Sequence, residues 1–184
     1  MTTAASMSGI FDSLAVQLAT FLAVVLSASG LHKLIRRRRM HIAAREFARV
    51  PRLLAPLAAP AAAAAELSAA LLLLSASHRA AGGAVAALIW GVYLLLILRA
   101  IVQGRRDVDC GCTFGVARRP LGAYQLARNF ILAGMALLVA AVSALNPAEP
   151  VAGAQILAAF ALLALYAALD EVTALQPLRS GAVP

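Results

Sequence analysis

Hydrophobic residues in this chain gather into five long, continuous stretches, at about 10–31, 53–74, 84–102, 123–145 and 151–169, separated by short polar connections. A helix needs about 20 largely apolar residues to cross the hydrocarbon layer. The stretches have that reach, and they lack the alternating polarity that a membrane β-strand carries. The pattern therefore predicts an all-α, polytopic membrane bundle of four to five transmembrane helices, forming one membrane domain over 1–184.

Polar residues punctuate this pattern unevenly. The first stretch has Asp12 at its outer edge and no basic run before it, and Lys and Arg follow it instead, the reverse of a secretory signal peptide, so it is expected to be retained. "HKLIRRRRMHIAAREFARVPR" (32–52) comes next and reads as a topogenic, lipid-contacting loop that can form a short helix along the membrane. Pro56 and Pro60 remove helix hydrogen bonds early in the second stretch and favour a kink. The "AAAAAE" run behind them has side chains small enough for close helix contact. Gly82 and Gly83 read as a short turn before the third stretch, which holds Trp90 and Tyr93 and ends near Arg99. The fourth opens with "AYQLARNF", which puts Arg128 and Asn129 about one turn inside the boundary. The fifth ends at Asp170 and Glu171, adjacent residues on different sides of a helix, read as a solvated helix end.

Composition strengthens the membrane reading. Of the 184 residues, 62% are hydrophobic and 13% charged, against roughly 45–50% and about 25% in soluble domains. The formal charge of +8 would point to nucleic acid in a soluble protein. Here the basic residues flank apolar spans, where they set orientation and meet anionic lipid head groups, so membrane lipid and not nucleic acid is the expected partner. Lys33, Arg36, Arg37, Arg38, Arg39, Arg45, Arg49 and Arg52 lie in one connection, and Arg99, Arg105, Arg106, Arg118, Arg119 and Arg128 lie around another. The opposite side has Arg79. Five spans with the N-terminus outside and the C-terminus cytoplasmic satisfy the positive-inside rule for a cell membrane, and place the 103–121 connection at the cytoplasmic face.

That connection contains "RRDVDCGCTFG" and both cysteines of the chain, Cys110 and Cys112, separated by Gly111. Two cysteines so close can form a disulfide, but the ring is tight, and departure from relaxed geometry makes such a bond easily reduced. Gly111 helps by permitting backbone angles that other residues resist. A bond of this kind belongs with labile or catalytic disulfides more than with structural ones. Nearby arginines favour the thiolate, while Asp107 and Asp109 oppose it. The residues leave redox chemistry and unreactive loop thiols both open. Metal binding is the weaker alternative: thiolates suit soft ions, but a closed zinc site takes four ligands, and His32, His41 and His78 are scattered through other segments.

Glu66 stands near the middle of the second stretch, where an ionisable group costs roughly 2.5–3.5 kcal/mol on insertion scales. It should face the bundle, a water-filled pocket or a partner. Its role is either proton handling beside a redox centre or cofactor, or a structural hydrogen bond to Asn129, Tyr93 or Arg128. A transporter built on Glu66 would be expected to show a duplicated half, and no repeat stands out. Serine nucleophiles, paired catalytic carboxylates and phosphate-cradling glycine loops are missing, which argues against hydrolytic and phosphoryl-transfer chemistry.

Taken together, "LHKL" after the first stretch, "AAELSAALLL" in a proline-containing second one, and "DCGCTFG" followed by "ARNFILAG" resemble the methylamine utilisation protein MauE family, which is similar to DoxX-like small membrane bundles. The resemblance spans roughly 31–145 and is most specific at the cysteine loop. It implies a membrane component of methylamine dehydrogenase maturation that acts with a thioredoxin-like partner in disulfide formation or transport of the small subunit, through thiol-disulfide exchange. Cys110 and Cys112 match as the redox pair, and Gly111, Phe114, Gly115, Glu66, Lys33, Arg128 and Asn129 as supporting positions. The acceptor of its electrons would be a quinone or a second thiol carrier. The other reading is a non-catalytic membrane subunit that holds a maturation or translocation partner. Thr113 departs from the family pattern, which reads Cys-Gly-Cys-Phe-Gly. The implied client folds outside the cytoplasm, whereas charge counting puts the loop inside. Either the thiols relay electrons across the membrane, or one apolar segment, such as the proline-broken second, is re-entrant.

Overall fold

In a computed structural model of the chain, residues 2–106, 121–145 and 150–180 are described, the side chains of 2–11 and 173–180 excepted. Helices α1 (Thr2–Ile35), α2 (Arg37–Glu46), α3 (Ala55–Leu74), α4 (Arg79–Val102), α5 (Ala123–Leu145) and α6 (Gly153–Ser180) follow one another, with a short 3-10 turn at Ala76–His78. Five segments are long and apolar enough to cross a membrane: Asp12–Ile35, Ala55–Leu74, Ala76–Val102, Ala123–Leu145 and Gly153–Val172. The protein is a multi-pass helical membrane protein, and the count settles at five.

The second stretch forms one continuous helix, because its prolines fall early. Pro56 lies in the first turn of α3, where its missing N–H has no intrahelical partner to lose. Pro60 is the one interior proline, and the helix runs on through it to Leu74.

Small residues govern the packing. Gly82 and Gly83 do not form the expected turn: both are buried in the first turns of α4. A Cβ on Gly82 would lie 2.5 Å from Leu73 N, and one on Gly83 would lie 2.8 Å from both Ala136 O and Ala140 N. The start of α4 therefore touches the ends of α3 and α5 backbone to backbone, which makes both pairs antiparallel. Close approach of this kind drives association where lipid removes any hydrophobic gain between helices. Gly30 plays the same part between α1 and α3, against Leu67 and the Ala63 carbonyl.

α1 is the central helix: 56% of its membrane window is buried inside the bundle, against 11% for α6. Ala19, Leu22 and Leu26 of α1 share one core with Ala69, Ala70 and Leu73 of α3, Ala86 and Trp90 of α4, and Leu132, Ala136 and Val139 of α5. α6 joins it at the edge through Ala159 and a T-shaped contact between Tyr166 and Phe21, whose ring centroids are 6.2 Å apart.

Four helices meet at the basic end and position the site. α1 ends there, α2 crosses there, α4 runs out there and α5 begins there. α2 carries Met40 and Ala43, with Phe47 just beyond, at helical spacing on its buried edge, and leaves Arg37, Arg38 and Arg45 exposed. Phe47 then packs with Ile97 and Ala100 of α4 and with Leu121 at the entry to α5.

Candidate functional site

The inner part of the site is a buried ion pair. Lys33, in the last turn of α1, points its side chain back along the helix, as helical side chains do. Its Nζ donates to Ser29 Oγ at 2.7 Å and to Glu66 Oε1 and Oε2 at 2.8 and 3.0 Å. Tyr93 of α4 donates its hydroxyl to Glu66 Oε1 at 2.6 Å. Its ring also lies beneath the ammonium, 5.4 Å from centroid to Nζ, within cation–π range. Lys33 is 7% exposed and Glu66 1%. Both carboxylate oxygens of Glu66 and the three donors of Lys33 are thus engaged, so the carboxylate expected to face the bundle or a partner is half of a pair held by three helices.

Tyr93 is one of the partners foreseen for Glu66, and Lys33 is the one the sequence concealed. It reads there as one more charge in the topogenic run, whereas α1 extends four residues past the expected end of its span and carries Lys33 inward. Asn129 and Arg128, the other two expected partners, lie elsewhere. Asn129 donates to the Gln125 carbonyl one turn earlier in α5, at 2.8 Å. Arg128 reaches Asp170 of α6 at 3.4 Å, and Tyr124 donates to the same carboxylate oxygen at 3.3 Å.

This second pair corrects the reading of Asp170 as a solvated helix end: it is 5% exposed, while its neighbour Glu171 is exposed. α5 and α6 both pack on α1, and that placement brings Asp170, late in the fifth span, within reach of Arg128, early in the fourth. A carboxylate there meets the guanidinium, and a buried charge is retained only with such a partner.

The outer part of the site is the foot of the cysteine connection. Cys110, Gly111, Cys112, Thr113, Phe114 and Gly115 lie outside the described residues, but the two ends of their segment do not. Leu121 N donates to the Arg106 carbonyl at 2.7 Å, which closes the base of the loop. Arg105 Nη1 donates to the Glu46 carbonyl at the end of α2, also at 2.7 Å. With the Phe47, Ile97, Ala100 and Leu121 cluster directly beneath, the segment that carries both thiols is anchored to α2, α4 and α5 at the basic end of the bundle.

Between these two parts lies a cavity of about 230 Å³. Lys33 and Tyr93 line it together with Met40, Phe47, Ala62 and Leu96, so its side-chain wall is apolar apart from Lys33 and the Tyr93 phenol. Phe47 and Leu96 belong both to the cavity wall and to the cluster under the loop. A larger apolar cavity, about 340 Å³, lies between α1, α5 and α6, with Arg128 and Tyr124 at one end. Among the described residues no group of three or more His, Cys, Asp or Glu side chains stands close enough to hold a metal ion.

Neither a curated protein nor a solved structure matches the chain. The family model of methylamine utilisation protein MauE matches residues 11–142, well over half of the chain. That range takes in Lys33, Glu66, Tyr93, the cysteine pair, Arg128 and Asn129, and stops before α6 and Asp170. With four of the five apolar helices, the buried lysine–glutamate pair and the cysteine segment inside the matched range, the chain belongs to the methylamine utilisation protein MauE family.

Proposed function

We propose that this MauE-family membrane protein carries out thiol-disulfide exchange through Cys110 and Cys112 with a thioredoxin-like partner, and so supports maturation of methylamine dehydrogenase or a related client. The observation that carries the reading is the placement of both thiols of the chain in a segment whose two ends are tied to the bundle. Both ends of that segment are thereby held at the basic end of the bundle, the end at which a water-soluble partner would act. In the exchange, a partner thiolate attacks one sulfur of the Cys110–Cys112 disulfide, and the other leaves as a thiolate. The second partner thiol then displaces the mixed disulfide. The partner ends oxidised and the pair ends as two thiols, so two electrons and two protons have moved.

The Cys110→Ser/Cys112→Ser variant should leave protein levels unchanged and abolish client maturation. Either single variant should accumulate a mixed disulfide with the partner, visible on a non-reducing gel. Full maturation by the double variant would overturn the reading. If the double variant instead loses co-purification of the partner and the singles trap nothing, the protein acts as a non-catalytic scaffold whose thiols shape the loop.

The charge asymmetry supports an arrangement with the N-terminus outside, the C-terminus cytoplasmic and the loop at the cytoplasmic face of the cell membrane. Cys110 and Cys112 in intact cells should then react slowly with a membrane-impermeant maleimide and rapidly after lysis. Rapid labelling before lysis would reverse the orientation.

A further inference from the structure

We infer that the cavity between α2, α3 and α4 binds the ring of an isoprenoid quinone, the lipid-soluble electron acceptor that returns the cysteine pair to its disulfide; this rests on the thiol-exchange reading above. The cavity combines features that a quinone ring requires and a plain lipid tail does not. At about 230 Å³ it is smaller than the usual 300–1,000 Å³ of a site for a complete drug-sized ligand, which suits a single substituted ring. Its wall of Met40, Phe47, Ala62 and Leu96 suits the ring faces, whereas an ammonium and a phenol along one side suit a carbonyl oxygen. An acyl chain would gain nothing from Lys33 or Tyr93.

The polar side can serve a ligand without being dismantled. Of the three hydrogen bonds made by Lys33, the one to Ser29 Oγ is replaceable, because a serine in a helix can turn its hydroxyl to the carbonyl one turn back. One N–H of Lys33 can then move to a ring oxygen while the other two keep Glu66 paired. Tyr93 holds an exchangeable hydroxyl proton beside the same position, already hydrogen-bonded to Glu66. Val92, which lines the cavity and is 46% exposed on the outer face of α4, marks a route by which a lipid-soluble ligand enters from the bilayer.

The balance closes. Two S–H bonds break and the Cys110–Cys112 S–S bond forms. The two electrons and two protons released convert the two ring carbonyls of the quinone into hydroxyls. Phe47 and Leu96 connect the cavity wall to the foot of the cysteine segment, so the acceptor site and the two ends of that segment occupy the same end of the bundle.

Trp90, the single tryptophan of the chain, sits one turn from Tyr93 on α4 and serves as a built-in reporter, since quinones quench indole fluorescence. Titration of the full-length protein in detergent with a short-tail ubiquinone should give saturable quenching in the wild type and equally in the Cys110→Ser/Cys112→Ser variant. Ala62→Phe, which fills the cavity and leaves every polar group in place, should weaken the apparent affinity at least tenfold. Tyr93→Phe should weaken it several-fold. Quenching that does not saturate, that is indifferent to Ala62→Phe, or that is displaced equally well by a ring-free phospholipid would overturn the proposal. The double-serine protein keeps the two readings apart: if it binds quinone and also matures the client, the thiol reading falls and the quinone site remains.

Discussion

Lys33→Met is expected to lower the stability of the folded bundle by about 3–5 kcal/mol, the range found when one partner of a buried ion pair is removed. The loss comes mostly from what remains. Glu66, 1% exposed, would keep the Tyr93 hydroxyl as a donor and lose two charge-assisted bonds from the ammonium. Desolvation that the pair now offsets would then stand uncompensated. The double variant Lys33→Met/Glu66→Leu removes both charges and retains similar volume, and buried pairs replaced in this way are often neutral or stabilising. Thermal unfolding in detergent should therefore show a large fall for the single variant and recovery of most of it in the double. A single variant as stable as the wild type would mean that water reaches Glu66. A double variant that folds normally but no longer binds quinone would assign the pair to ligand binding and not to stability.

Gly83→Val should be nearly as damaging, for a steric reason. The Cβ position is 2.8 Å from the Ala136 carbonyl oxygen and from Ala140 N, both backbone atoms of α5. A flexible side chain could turn aside, but a helix backbone has to move as a unit. Overpacking of a close-packed interior typically costs roughly 1–3 kcal/mol, and the upper part of that range is expected because α4 must separate from α5 along its first turns. Gly91 provides the internal control, since a Cβ there meets nothing within 4 Å. Gly91→Ala should leave unfolding unchanged or raise its midpoint slightly, because alanine is the better helix former. Equal destabilisation by both substitutions would show that the backbone contact between α4 and α5 is not what makes Gly83 sensitive.

How far the site could be read from sequence depended on whether its chemistry was local. Cys110 and Cys112 are two residues apart, so their association needed no fold to reveal it. Glu66 announced itself by its position, since a lone carboxylate amid 20 apolar residues requires compensation wherever it points. Its pairing did not: the family resemblance named Lys33 and Glu66 each as a supporting position, but Lys33 stands 33 residues away inside a run of cations, and nothing in the order of residues joins the two. Asp170 was misread for the related reason that its solvation depends on how α5 and α6 are placed against α1, which brings Arg128 to it. The glycines at 82 and 83 have the composition of a turn; only the neighbouring backbones of α3 and α5 show that their missing side chains serve a helix contact.

The linear pattern alone determined that this is an all-helical membrane protein, since continuous apolar stretches of spanning length leave the backbone no other way to satisfy its hydrogen bonds in lipid. It also located the basic end and the cysteine pair, both matters of residues close together in the chain. The tertiary structure decided which charges meet, which glycines are contacts, and that an apolar cavity opens beside Lys33. Those are matters of distance between residues far apart in the chain, and in a bilayer they are settled by packing and the pairing of buried charge, neither of which leaves a periodic trace in the order of residues.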